Sequence, residues 1–310
     1  MSADREFDKH ATSDDVLEGV DLSGRHFVIS GATSGLGEES ARAVAAHGAD
    51  VTMLARDEAK LADALARVGG AGGGGEIEGG IVDLASLASI REGSAGLADG
   101  RPIDVLINNA GVMAPPLTRT ADGFELQFGT NHLGHFLLTL LLVPALRRGE
   151  APRVVTLSSA GHGLSDVDLE DPNYESQEYD PWIAYGRSKT ANAHFAYELA
   201  KRLDGVLSFS VHPGAIETDL MRHLPEEVVA AGLERVKDRA KTIPQGAATQ
   251  IYAATAPALE SLNGVYFANC APGKPGEPTE FGGIKDYLYN AETTSALWEL
   301  SERLVGESLP

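Results

Sequence analysis

His26-Phe27-Val28-Ile29-Ser30-Gly31-Ala32-Thr33-Ser34-Gly35-Leu36-Gly37 opens with a short apolar run and closes on a glycine-rich turn. The run 26–30 reads as a buried strand. The residues after the turn, Glu38 to Ala46, read as a helix, closed by His47-Gly48. Strand, glycine turn and helix N-terminus together make a phosphate cradle. The glycines let the backbone turn tightly and let an anion approach, and the first helical N–H groups and the helix dipole attract it. The spacing is G-x-x-x-G-x-G, which differs from the more familiar G-x-G-x-x-G.

Outward from this turn the chain alternates strands and helices. Strands are expected at 51–55, 81–83, 103–107, 153–157, 206–211 and 264–267. Helices are expected at 57–68, 86–97, 121–147, 181–203, 217–240, 245–256 and 290–305. The glycine-heavy stretch 69–80 reads as a flexible surface loop, because no helix opens from it. The fold class is therefore α/β: a single-domain, doubly wound parallel sheet with helices on both faces. Residues 1–23 form an N-terminal extension with a packing role, in which Thr12 or Ser13 caps a short helix. Residues 24–310 form one domain. The segments 160–182 and 217–243 and the C-terminal tail are assigned to the substrate side.

The totals narrow the function. A chain of 310 residues with net charge −20 lacks the basic face that nucleic acids or anionic membranes want. Cys270 is the sole cysteine, so neither an intrachain disulfide nor a cysteine metal site can form. The nine histidines show no metal-ligand spacing, and His132 and His135 are expected to pack or hydrogen-bond. Met1 to Asp15 is charged and shows no signal-peptide pattern. The longest apolar run, Phe136 to Leu146, is too short to span a bilayer. A cytoplasmic location is the expectation.

In a doubly wound sheet, ligands bind beyond the carboxyl ends of the strands. Polar residues recur there: Gly31 to Gly37, Arg56, Asp83, Asn108 to Gly111, Ser158-Ser159, and Pro213-Gly214. Tyr185 and Lys189 lie four apart on one helix, hence on one face. Ionising a free tyrosine at neutral pH costs about 4 kcal/mol. An ammonium ~4–5 Å away returns roughly that much, so the pair can exchange a proton with an alcohol or ketone.

With these motifs in register, the chain resembles the short-chain dehydrogenase/reductase family over about residues 24–270, with a Rossmann-like fold. The closer likeness is to its retinol-dehydrogenase and WW-domain-oxidoreductase branch. It is carried by Ala55-Arg56-Asp57, Asn131-His132-Leu133-Gly134-His135-Phe136, Tyr185-Gly186-Arg187-Ser188-Lys189-Thr190-Ala191-Asn192 and Val211-His212-Pro213-Gly214. The resemblance implies that Tyr185 is the general acid/base and that Lys189 lowers its pKa and holds the nicotinamide ribose. It implies that Ser159, the second of the serine pair, bonds the substrate oxygen, and that Asn131 positions a water linking Lys189 to solvent. Gly31, Thr33, Ser34, Gly35, Leu36 and Gly37 would frame the pyrophosphate. Asp83 and Leu84 would lie near the adenine, with Asn109, Ala110 and Gly111 at the cofactor edge. Pro213, Gly214, the Ile216 backbone and the Thr218 hydroxyl would hold the nicotinamide.

The residue after the second strand decides the cofactor. A carboxylate there would bond the ribose 2′-OH and repel a 2′-phosphate. Ala55 occupies that place and Arg56 follows, provided that Asp57 caps the next helix, so the cofactor expected is NADP(H). The expected reaction moves hydride between NADP(H) and a small to medium hydrophobic carbonyl/alcohol pair, in a monomer or homodimer. A C=C reductase and a catalytically silent NADP-binding protein on the same scaffold are the alternatives. Leu220, Met221, Leu224 and Trp182 are candidates for an apolar pocket wall.

Overall fold

The structure is a computed structural model that describes residues 6–221 and 224–310. In chain order it runs α1 (Ser13–Leu17), β1 (His26–Ser30), α2 (Gly35–Ala46), β2 (Asp50–Ala55), α3 (Glu58–Gly69), β3 (Ile77–Ile81), α4 (Leu87–Asp99), β4 (Val105–Asn108) and α5 (Gly134–Leu146). It continues with β5 (Arg153–Leu157), α6 (Pro181–Arg202), β6 (Leu207–His212), α7 (Glu226–Val236), α8 (Ile243–Thr255), β7 (Tyr266–Ala268), β8 (Ala271–Pro272) and α9 (Ala291–Val305).

The main sheet has the order β3-β2-β1-β4-β5-β6-β7-β8. It is parallel through β7, and β8 pairs antiparallel at the edge. This is the doubly wound, Rossmann-like arrangement expected. Winding reverses between β1 and β4, where a crevice must open. Alternate strand residues feed two apolar layers: Phe27 and Ile29 face α2, α3 and α8, while Val28 faces α4, α5, α6 and α9. The N-terminal extension belongs to the first layer. Val16 and Leu17 are fully buried, and Phe7 meets Tyr252 edge-on.

Three segments differ from their reading in sequence; of these, the expected helix 217–240 is α-helical over Glu226–Val236, with 3-10 turns at Asp219–Met221 and Lys237–Arg239. The glycine stretch 69–80 is not loop throughout, because Ile77–Ile81 is an edge strand. A Cβ on Gly79 would lie 2.8 Å from the Leu61 side chain of α3, so glycine lets that helix pack directly on the strand. The expected helix 121–147 begins as a π-helical turn, Phe128–Leu133, before α5 takes over. Segment 128–146 is apolar and long enough by composition to cross a membrane, yet it lies buried inside the fold.

Candidate active site

The register of the parallel strands brings their carboxyl ends to one edge: Ser30 beside Leu54, Ala55 beside Ile81, Asn108 beside Thr156, Leu157 beside Val211. A cleft of about 970 Å³ opens there, lined by residues following every strand from β1 to β6. The glycine turn forms its floor. Gly31 has φ +65° and Gly35 φ +57°. A Cβ on Gly37 would lie 2.4 Å from the Gly31 carbonyl oxygen and 2.5 Å from Asn109 Nδ2. Asn109 Nδ2 donates to the carbonyls of Ser30 (2.9 Å) and Gly31 (3.2 Å), pinning the entry to the turn. The Ser34 side chain makes no capping bond to the α2 N-terminus. Cramped glycines and N–H groups without a side-chain cap fit a pyrophosphate.

Behind the cradle lies a network that sequence reasoning missed. Ser30 Oγ accepts from the backbone N–H groups of Asn109 and Ala110 (3.0 and 3.1 Å). His135 Nδ1–H donates to the Asn131 carbonyl (2.8 Å), which leaves Nε2 to accept from the Ser30 hydroxyl (2.8 Å). A polar residue ending an otherwise apolar strand was the available signal. His132 bonds Ser301 and stacks on Phe128, so both histidines of this pair serve packing and hydrogen bonding.

Ser159, Tyr185 and Lys189 line the cleft, and Asn131 lies buried behind them, outside its lining. The Asn131 amide accepts from Val112 N–H (2.8 Å) and donates to the Val112 carbonyl (3.0 Å) and Ser188 Oγ (2.9 Å). Gly111 separates Asn131 from Lys189: a Cβ there would lie 3.3 Å from Asn131 Oδ1 and 3.6 Å from Lys189 Nζ. The adjacent serines have different jobs. Both serines line the cleft; Ser158 is buried and donates to the Lys189 carbonyl (2.7 Å), whereas Ser159 Oγ accepts from Gly161 N–H (3.0 Å) and lies near enough to the Tyr185 phenol to pull its pKa down.

The electrostatics of the Tyr185–Lys189 pair correct the sequence argument. Burial pushes the Tyr185 phenol up to about 12, against Ser159, which pulls it down. Burial takes the Lys189 ammonium down to about 8. Lys189 Nζ lies 5.8 Å from the tyrosine ring centre and donates to the Leu157 carbonyl (3.1 Å). Both groups leave water together, and that loss outweighs their mutual attraction. The resting phenol therefore holds its proton; ionising it at pH 7 costs about 7 kcal/mol.

At the far end of the cleft, Ala55 ends β2 and Arg56 lines the wall. Asp57 Oδ1 caps α3 through Lys60 N–H (3.0 Å), and the residue also lines the cleft beside Arg56. The Lys60 side chain joins Arg56 on the wall, a second cation that sequence reading left on a helix surface. Asp83 and Leu84 line the next stretch, and Asp83 accepts from Ala85 N–H (3.0 Å) within its own loop. Thr33 is braced from outside: Arg67 donates to its carbonyl (3.2 Å) and pairs with Glu38 (2.6 Å).

On the opposite side, Pro213, Gly214, Ile216 and Thr218 line the cleft. The Ile216 and Leu36 side chains turn away onto Gly246 of α8, and the Thr218 methyl abuts Gly35. His212 Nδ1 accepts from Ala160 and Gly214 N–H (3.2 and 3.4 Å), holding both loops. Leu220, Met221 and Leu224 pack against Tyr185 and Met113, and Trp182 joins them on the wall. Of the acidic insert 160–182, only Ala160, Gly161, Leu164 and Trp182 reach the cleft. Its buried carboxylate stays within the insert: Asp171 collects the N–H groups of Glu175, Ser176 and Gln177, while Glu170, Glu175 and Glu178 are exposed. The tail helix α9 contributes no cleft residue; its Trp298 packs on Phe136 and Phe195.

A doubly wound sheet with a glycine cradle at its switch point defines a nucleotide-binding α/β protein. Residues 25–228 match the family model for short chain dehydrogenase, and the chain belongs to that family of oxidoreductases, which use NAD(P). It is 40% identical to retinol dehydrogenase 14 of Mus musculus over 301 residues, 92% of this chain and 87% of that one. A crystal structure of an uncharacterized protein from Mycobacterium paratuberculosis superposes with TM-score 0.75 at 35% identity, covering 97% of this chain and 99% of that one. The Pseudomonas aeruginosa RhlG/NADP active-site complex superposes with TM-score 0.65 at 25% identity, covering 80% and 95%.

Proposed function

We propose that this chain is an NADP(H)-dependent alcohol dehydrogenase or carbonyl reductase acting on small to medium hydrophobic molecules. One observation carries the reading: a buried, protonated Tyr185, beside Ser159 and one helical turn from Lys189, faces the cleft that Arg56 and the glycine cradle share. The glycine turn and α2 N-terminus would hold the pyrophosphate. Arg56 and Lys60 would meet a 2′-phosphate, and Thr218 and the Ile216 backbone the carboxamide. When bound, the nicotinamide supplies hydride to a carbonyl carbon or takes it from an alcohol.

The protein's own groups handle the oxygen. Ser159 holds it by a hydrogen bond, which strengthens as negative charge grows there. Tyr185 Oη passes its proton to that oxygen in reduction and recovers it in oxidation. The ammonium of Lys189 stabilises the phenolate left behind. The NADP complex of the Pseudomonas relative and the name of the mouse relative support this reading.

The test is NADPH depletion across aldehydes, ketones, steroids and quinones, with product analysis on enones to see which bond is reduced. Carbonyl turnover that Tyr185→Phe abolishes, with NADPH affinity kept, is expected. Undiminished turnover in that variant, or a wild-type preference for NADH, overturns the assignment.

A further inference from the structure

One wall of the cleft carries charge that the reading above does not use. Helix α7 and the turn after it present Val228, Val229, Gly232, Arg235, Val236 and Arg239 to the cavity. Their spacing puts them on one helical face. Arg235 makes no hydrogen bond or ion pair among the described residues. The Arg239 guanidinium stands 3.7 Å from Glu280 and 5.3 Å from the Phe281 ring centre. Its Nε is shielded from solvent and has no partner among the described residues. A shielded N–H without an acceptor is uncommon.

The setting makes the charge informative. The chain carries net charge −20, yet this wall holds two arginines against the single carboxylate of Glu280. The local excess is thus one positive charge, matched to a monoanion. Met113, Leu220, Met221 and Leu224 line the same cavity, pack together with Tyr185 and offer only apolar contact. The Arg239 charge is felt at His212, the residue that holds Ala160 beside Ser159. A hydroxyl at Ser159, an apolar patch and a cationic wall share one cavity.

We propose that the substrate is an apolar aldehyde or ketone, or the matching alcohol, that ends in a carboxylate held by Arg235 and Arg239. The proposal rests on the oxidoreductase reading. The guanidinium fork suits a carboxylate in bidentate geometry.

The experiment has a turnover arm and a binding arm. In the first, ω-oxo carboxylates of graded length, from six to twelve carbons, are compared with their methyl esters using NADPH. In the second, dodecanoate, dodecan-1-ol and dodecyl phosphate are titrated calorimetrically into the NADPH-loaded protein. Both arms use wild type, Arg235→Gln, Arg239→Gln and the double variant, each checked for an unchanged Tm. The acid is expected to exceed its ester in kcat/KM by about tenfold at the best length, and dodecanoate to bind about tenfold tighter than the alcohol. The double variant should bring both ratios near one, with NADPH affinity changed less than about twofold, a change worth under about 0.5 kcal/mol.

Ratios that persist in the double variant overturn the proposal, as does a loss of NADPH affinity matching the loss of dodecanoate. Dodecyl phosphate binding more than about tenfold tighter than dodecanoate overturns the carboxylate assignment. The two readings fail separately. If no carbonyl is reduced while dodecanoate binding still needs the arginines, the reaction is wrong and the anion subsite stands. If esters turn over as fast as acids, with no arginine dependence, the subsite is wrong and the reaction stands.

Discussion

Acidification from pH 7 to pH 5 should destabilise this protein through its buried histidines; burial lowers the pKa of six of them, His26, His132, His135, His162, His194 and His212. Burial holds His132 and His212 down at about 3, and His135 and His162 at about 4, from an ordinary value of 6.5. Each is neutral in the fold and readily protonated once unfolded. Below pH 6.5 the unfolded chain therefore binds more protons, and stability falls with pH until each folded value is reached. Between pH 7 and pH 5 each such group costs about 2 kcal/mol, so the four together cost about 7 kcal/mol. That loss is comparable with the whole stability of many domains, about 5–15 kcal/mol. The site fails with the fold: His135 accepts from Ser30 behind the cradle, His162 donates to the Ser159 carbonyl (2.7 Å), and His212 holds Ala160 and Gly214. Urea denaturation followed by tryptophan fluorescence at pH 7, 6 and 5 measures the slope. His135→Gln should reduce it by about one proton, or about 1.4 kcal/mol per pH unit. A wild-type loss below about 2 kcal/mol between pH 7 and 5, the share of a single histidine, would refute the reasoning.

Gly37→Ala puts a methyl 2.4 Å from the Gly31 carbonyl oxygen and 2.5 Å from Asn109 Nδ2, so it should cost about 1–3 kcal/mol of stability and weaken NADPH binding about tenfold or more, read by denaturation and fluorescence titration. Ser159→Ala should lower turnover by about 10²-fold with stability nearly intact. Ser158→Ala should do the reverse: the Lys189 carbonyl loses a buried donor, so about 1 kcal/mol of stability goes while the chemistry remains. Arg56→Gln should weaken NADPH by about 10- to 100-fold and leave NADH almost unchanged, with Lys60→Gln acting in the same direction more weakly. Equal losses for the two cofactors would remove Arg56 from the 2′-phosphate.

Sequence patterns exposed the strand ends because position along a parallel sheet converts directly into position in space. Once 26–30, 103–107 and 153–157 read as strands, Gly31, Asn109 and Ser159 had to converge. What stayed hidden depends on contacts between elements. Gly79 and Gly80 look like linker by composition, and only the approach of Leu61 reveals why a strand uses them. The π-helical turn that presents Asn131 has no residue signature of its own. Lys60 sits on an ordinary helical stretch, and only the packing of α3 brings its side chain to the cleft wall. Spacing reports the separation of Tyr185 and Lys189 but not the loss of water around both.

Helix α5 bears on how the molecule opens. Every residue of Gly134–Leu146 except Leu141 and Pro144 falls in the buried class, so the helix has no wet face from which to fray. It packs on α4 and follows directly on the turn that positions Asn131. Its amide protons can reach solvent only when both flanking layers separate. Hydrogen exchange in α5 should therefore proceed by global unfolding and report total stability, while α7 exchanges through local openings. Substrate can then be admitted and released by motion at the α7 wall without loosening the helix layer behind Asn131.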